Sequence, residues 1–149
     1  MKKKIILLTA NEQRHLYAAS FLSSQKNIDL RLVIHEDNIK LKSNVLYKKD
    51  PNLKKHISLR SKTEDFFFKK FIKKNNKYNS IFIGNKKIND KKIIDLIKKE
   101  NFDYLIAYGC SIVEQKFINQ FKGKFLNIHL GLSPYYKGSG TNFFPFVNK

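Results

Sequence analysis

The feature that most constrains this chain is an alternation. Short, uninterrupted apolar runs are separated by longer segments with helical spacing. The runs are Lys4 to Thr9 (KIILLT), Asp29 to His35 (DLRLVIH), Ser80 to Ile83, Tyr104 to Tyr108 (YLIAY) and Phe125 to His129 (FLNIH). Strands that read apolar at every position, rather than at every second one, are buried on both faces. Between them, Glu12 to Ser24 reads as a helix with Leu16, Ala19 and Leu22 on one face. Asp90 to Glu100 reads as a helix with an Ile93, Ile94, Ile97 stripe and Asn89 placed to cap it. Thr63 to Lys74 is also helical, with Phe67, Phe71 and Ile72 as core candidates, and Glu114 to Phe121 is a short helix. Glu36 to Ser61 is polar, contains Pro51 and lacks a clean period, so the expectation there is mostly loop with at most a short helix. Strand–helix–strand order predicts an α/β fold: Rossmann-like, a mainly parallel sheet with helices on both faces. Ligands in such sheets bind outside the carboxyl ends of the strands.

A chain of 149 residues with 42% apolar content fits one domain with a real core. The apolar run near the start, Ile5 to Leu8, is too short for a secretory signal, which needs about 7–15 apolar residues. Nothing reads as membrane-spanning. The single cysteine, Cys110, excludes an intrachain disulfide and fits a cytoplasmic location. Cys110 has no paired base in sequence and reads as a small buried residue, and one Cys with four scattered His gives no metal-ligand spacing, so no metal is expected.

The net charge of +18 admits two readings. One is a basic α/β module that binds nucleic acid through phosphates. The other, favoured here, is lysine drift in an AT-rich genome. Only Arg14, Arg31 and Arg60 are arginines, and the lysines are dispersed over solvated helix faces. The charge would still help capture an anionic substrate.

The chemistry-bearing stretch is LNIHLGLSPYYKGSGTNFF, Leu126 to Phe144. Strand alternation puts Asn127 and His129 on one face and Leu126 and Ile128 on the other. A carboxamide NH₂ can donate to an oxygen gaining negative charge, and an imidazole can donate or shuttle a proton near neutral pH. Alone, an Asn-x-His pattern is short enough that a satisfied structural pair would explain it better. In its longer context it resembles the folate-dependent formyltransferase family, whose branches include methionyl-tRNA, glycinamide ribonucleotide and sugar N-formyltransferases. The resemblance rests on Asn127, His129, Leu132, Pro134, Lys137 and Gly138, with Asp103, Tyr108 and Gly109 upstream. It is strong from Asp103 to Phe146. Leu130 and Gly131 stand where Pro-Ser often follows the His, and Ser133 stands where Leu is common, a variant that looks closer to the sugar-type branch.

The resemblance implies transfer of a formyl group from 10-formyltetrahydrofolate to a primary amine, that of an amino sugar or another small metabolite. A methionyl-tRNA formyltransferase fragment is an alternative. Asn127 and His129 would be catalytic. Tyr108, Gly109, Cys110 and Gly138 would line the folate pocket, although Tyr108 is as well explained as a core aromatic. Independently of the resemblance, the first helix start offers an anion site with Arg14 or His15 as partner, or else a surface arginine and a capping Asn11. The family's mechanism also uses an Asp downstream of the His, and residues 130–149 contain no acidic residue. The expectation is therefore the N-terminal portion of a catalytic domain, truncated at the C-terminal side and poorly active, with its oligomeric state open.

Overall fold

The computed structural model describes residues 1–37, 49–72, 77–132 and 134–136. In chain order these form β1 (Lys3–Ala10), α1 (Gln13–Ser24), β2 (Ile28–Glu36), α2 (Pro51–Phe68) with a 3₁₀ turn over Lys69–Phe71, β3 (Asn79–Ile83), α3 (Lys91–Lys98), β4 (Tyr104–Tyr108), α4 (Gln115–Ile118) with a 3₁₀ turn over Asn119–Phe121, and β5 (Phe125–Ile128). The five strands make one sheet in the order β3-β2-β1-β4-β5, and every pairing is parallel. The α/β reading of the sequence therefore holds. None of the helices among the described residues is long and apolar enough to cross a membrane.

The apolar runs of β1, β2 and β4 are continuous because both faces of the sheet are covered there; on the edge strands β3 and β5, expected to be buried on both faces, Phe82, Leu126 and Ile128 are exposed. Along β1, Ile6 and Leu8 enter one core with Leu32, Ile34 and Leu105, closed by Ile93 and Ile97 of α3 and by Phe117 of α4. Ile5 and Leu7 enter the other with Leu30 and Val33, closed by Ala19 of α1. Each fully buried Leu, Ile or Phe contributes about 1.5–3 kcal/mol. The central strand anchors both layers.

Three further sequence expectations fail, each for a local reason. The segment expected to be mostly loop, Glu36 to Ser61, holds the start of the longest helix among the described residues, which runs on into the helical stretch expected from Thr63. Pro51 opens α2 rather than breaking it: Asp50 is its N-cap, accepting from the Asn52 and Leu53 backbone N–H groups at 2.8 and 3.2 Å, and proline suits the first helical position. Phe67 and Phe71 are not core, being 56% and 55% exposed, while Phe68 turns inward to stack on Tyr17 of α1 at 5.1 Å. Asn89 does not cap α3, whose N-cap is Asp90. Its side chain instead donates to the Ile112 carbonyl and accepts from the Glu114 N–H, both at 2.9 Å, tethering the segment before α4.

Candidate active site

Parallel pairing puts the ends of β1, β2, β4 and β5 on one edge of the sheet. The chain runs from central β1 outward to β3 on one side and to β4 and β5 on the other. The crevice at such a reversal, between β1 and β4, is where open α/β sheets hold ligands.

Asn127 and His129 stand at this edge. Asn127 pairs in register with Ala107 and Ile128 with Tyr108, so His129 follows β5 beside the residues that follow β4. The Asn127 side chain is exposed and makes no hydrogen bond among the described residues. The half-buried His129 ring places Nε2 at 2.9 Å from the Tyr136 carbonyl oxygen. A carbonyl only accepts, so Nε2 carries the proton in that contact. In the neutral ring Nδ1 then keeps its lone pair. The loop that supplies this carbonyl is closed by the Tyr136 N–H donating to the Leu132 carbonyl at 2.9 Å. Lys137 and Gly138, and the segment 142–147, lie outside the described residues.

Tyr108, Gly109 and His15 come together. The His15 ring is 1% exposed and meets Tyr108 edge-on, with centroids 5.1 Å apart. Gly109 adopts φ +69°, and a Cβ there would collide with His15 Nε2. Glycine is required on both counts. On its other side His15 Nδ1 lies 2.7 Å from Glu12 Oε2, close but off line for a hydrogen bond. Burial, and then the nearby Glu36 carboxylate, push the Cys110 thiol up to about 12.

Arg14 is engaged within the chain. Its guanidinium is held between Glu64, at 2.6 Å, and Glu12, at 3.2 Å. Asn11 does not cap α1 either: the N-cap is Glu12, and Asn11 Nδ2 donates to Asp37 Oδ1 at 3.3 Å.

A cleft of about 170 Å³ opens at the ends of β1, β2 and β4, lined by Ala10, Glu36, Asp37, Asn85, Gly109 and Ser111 among others. Drug-sized ligands occupy roughly 300–1,000 Å³, so these walls would enclose only part of such a ligand. Neither Asn127 nor His129 lines the cleft; Gly109 and Cys110 do. Sequence reasoning missed Glu36 and Ser111. The available signal was an acidic residue closing an otherwise apolar strand, "LVIHE".

The family model described as "Formyl transferase" matches residues 5–142. Methionyl-tRNA formyltransferase of Finegoldia magna is 34% identical over 65 residues, covering 42% of this chain and 21% of that protein. The fold matches phosphoribosylglycinamide formyltransferase from Anaplasma phagocytophilum with a TM-score of 0.62 at 15% identity, covering 99% of this chain and 59% of that one. It also matches a formyltetrahydrofolate deformylase from Pseudomonas putida KT2440 with a TM-score of 0.52 at 14% identity, covering 99% and 45%. The chain thus spans less than two thirds of each of these three relatives. With the parallel sheet and the Asn-x-His strand end in place, the match across nearly the whole sequence identifies the chain as a member of the formyl transferase family.

Proposed function

We propose that this chain is the N-terminal portion of a catalytic domain that moves a formyl group from 10-formyltetrahydrofolate to a primary amine. The observation that carries the reading is the pair of polar side chains at the end of β5: Asn127, whose carboxamide makes no hydrogen bond among the described residues, and His129, with Nε2 committed to Tyr136. Such a donor set fits a carbonyl. One group offers an N–H donor, the other a ring nitrogen able to take or give a proton.

When bound, the folate supplies an electrophilic formyl carbon. Asn127 Nδ2 donates to the formyl oxygen as charge accumulates on it. As the amine nitrogen bonds to the formyl carbon, His129 Nδ1 would take its proton and return it to the departing folate nitrogen as the donor's carbon–nitrogen bond breaks, while Nε2 stays on the Tyr136 carbonyl. That carbonyl is neutral and stabilises an imidazolium less than a carboxylate would. Gly109 lets the backbone leave β4 over the His15 ring, where a Cβ would collide with Nε2. The proposed setting is cytoplasmic.

The acceptor is read as an amino sugar or another small metabolite, on the Leu130-Gly131 variant of the motif. The names of the relatives add two further amines to the assay, glycinamide ribonucleotide and methionyl-tRNA. The test measures folate release with 10-formyltetrahydrofolate and this panel. Asn127→Ala and His129→Ala are each expected to lower turnover about 10²–10³-fold without changing the melting temperature. No folate release with any amine, together with a His129→Ala variant indistinguishable from the parent, would overturn the proposal.

A further inference from the structure

The end of β2 buries a carboxylate. Glu36 is 3% exposed, yet both of its oxygens are engaged by one residue on a distant part of the chain. The Ser111 N–H donates to Oε2 at 2.6 Å and the Ser111 hydroxyl donates to Oε1 at 2.8 Å. A carboxylate withdrawn from water is unfavourable unless charge-assisted hydrogen bonds replace the lost hydration, and these two do so.

The geometry of this contact matters more than its strength. β2 and β4 are not neighbours, because β1 lies between them. Ala10 pairs with Glu36 on one side of β1, and Thr9 pairs with Tyr108 on the other. Glu36 and Ser111 therefore meet across the end of β1, bridging strands about 9–10 Å apart. The chain leaving β4 is drawn toward β2 and away from β5. Two contacts complete its seat: the Thr9 hydroxyl donates to the Tyr108 carbonyl at 2.7 Å, and the His15 ring packs under Gly109. The segment 109–111 walls the cleft, and it follows directly on Tyr108, which pairs with Ile128 at the end of β5.

We infer that Glu36 is a positioning residue. Its carboxylate holds Gly109, Cys110 and Ser111 over β1 and so keeps the space beside Asn127 and His129 open for the formyl donor. The role in donor binding rests on the proposed function; the clamp itself does not. Cys110 sits inside the clamped segment and reports on it, since its thiol is held up by burial and by the Glu36 charge.

The test compares the parent protein with Glu36→Gln, which keeps shape but loses charge, with Ser111→Ala, and with Ser111→Thr, which keeps the hydroxyl. Three quantities are read: exchange of the Ser111 amide by NMR, alkylation of Cys110 by iodoacetamide across alkaline pH, and tetrahydrofolate binding by calorimetry. Glu36→Gln and Ser111→Ala are expected to speed amide exchange and alkylation about tenfold and to weaken tetrahydrofolate about three- to tenfold. Amides of β1 should stay protected, and Ser111→Thr should behave as the parent. Unchanged exchange and alkylation would remove the clamp. Faster exchange and alkylation with unchanged tetrahydrofolate affinity would show a merely structural contact and overturn the positioning role. A parent protein that binds no tetrahydrofolate would sink the proposed function, and the positioning role with it, while the amide and thiol readouts still decide the clamp.

Discussion

His35 shows how one residue can tie the stability of this fold to pH. It is 1% exposed at the end of β2, stacks on Phe82 with centroids 4.8 Å apart, and places Nδ1 at 3.2 Å from the Ala10 carbonyl. Burial holds its pKa below the usual 6.5, and the nearby His15 adds to this. The Ala10 contact pulls the other way but does not win. The folded ring is therefore neutral where an unfolded one begins to protonate. Below about pH 6.5 the unfolded chain binds more protons at this site, so unfolding free energy rises with pH through that window and falls on acidification. The contribution is fully present above the unfolded pKa and is lost as pH drops toward the lower folded value. Urea denaturation between about pH 7.5 and pH 5 should show stability falling with acid by at most about 1.4 kcal/mol per pH unit for this group. A His35→Gln variant should show a shallower fall. Equal slopes for parent and variant would assign the acid sensitivity elsewhere.

Elements differ in how they are held, and that difference explains what the sequence disclosed. The strands β1, β2 and β4 were legible because a stretch such as Ile5 to Leu8 can satisfy two cores at once only as a strand. α3 was legible from Ile93 and Ile97, which are buried where the stripe placed them. α2 was legible only at its end, in the helical reading of Thr63 to Lys74; the rest was not, because periodicity reports burial and none of its residues is buried. Its start was nevertheless written in Asp50-Pro51, a cap followed by a residue that fits the first turn. In the site, Asn127 and His129 could be placed at the sheet edge by alternation. The Tyr136 carbonyl and the Glu36–Ser111 clamp could not, because each joins parts of the chain through folding rather than through spacing. α2 is attached through the Phe68–Tyr17 stack and the Arg14–Glu64 ion pair at 2.6 Å. Removing the stack should therefore loosen this helix alone. Phe68→Ala is expected to speed amide exchange across Pro51–Phe68 about two- to tenfold, the equivalent of an aromatic pair worth about 0.5–1.5 kcal/mol, with β1 and β4 unchanged. Uniform acceleration over the sheet would instead place α2 within the cooperative core.

At the scale of the whole molecule, charge dominates. Thirty basic residues face twelve acidic ones, for a net +18, and the lysines lie along the whole chain. Several acidic residues are already committed locally, as Glu12 and Glu64 are to Arg14, so most lysine charge has only solvent and counterions to offset it. Like charges brought together by folding repel, and this self-repulsion opposes the compact state. Salt shortens its reach, from a Debye length of about 30 Å at 0.01 M to about 3 Å at 1 M. Salt also weakens the ion pairs, but exposed pairs contribute little, with a median of about 0–1 kcal/mol, so relief of repulsion wins. The melting temperature is therefore expected to rise by a few degrees between about 0.02 and 0.5 M NaCl, with most of the gain at the low end, where screening changes fastest. Ligand capture should respond in the opposite sense. On the proposed function, an anionic folate donor is drawn toward a +18 protein, and its association rate should fall over the same salt range while the fold is gaining stability. A melting temperature that is flat or falling with NaCl would mean that local pairing already balances the lysines, and the predicted loss of association rate would then have no long-range field to come from.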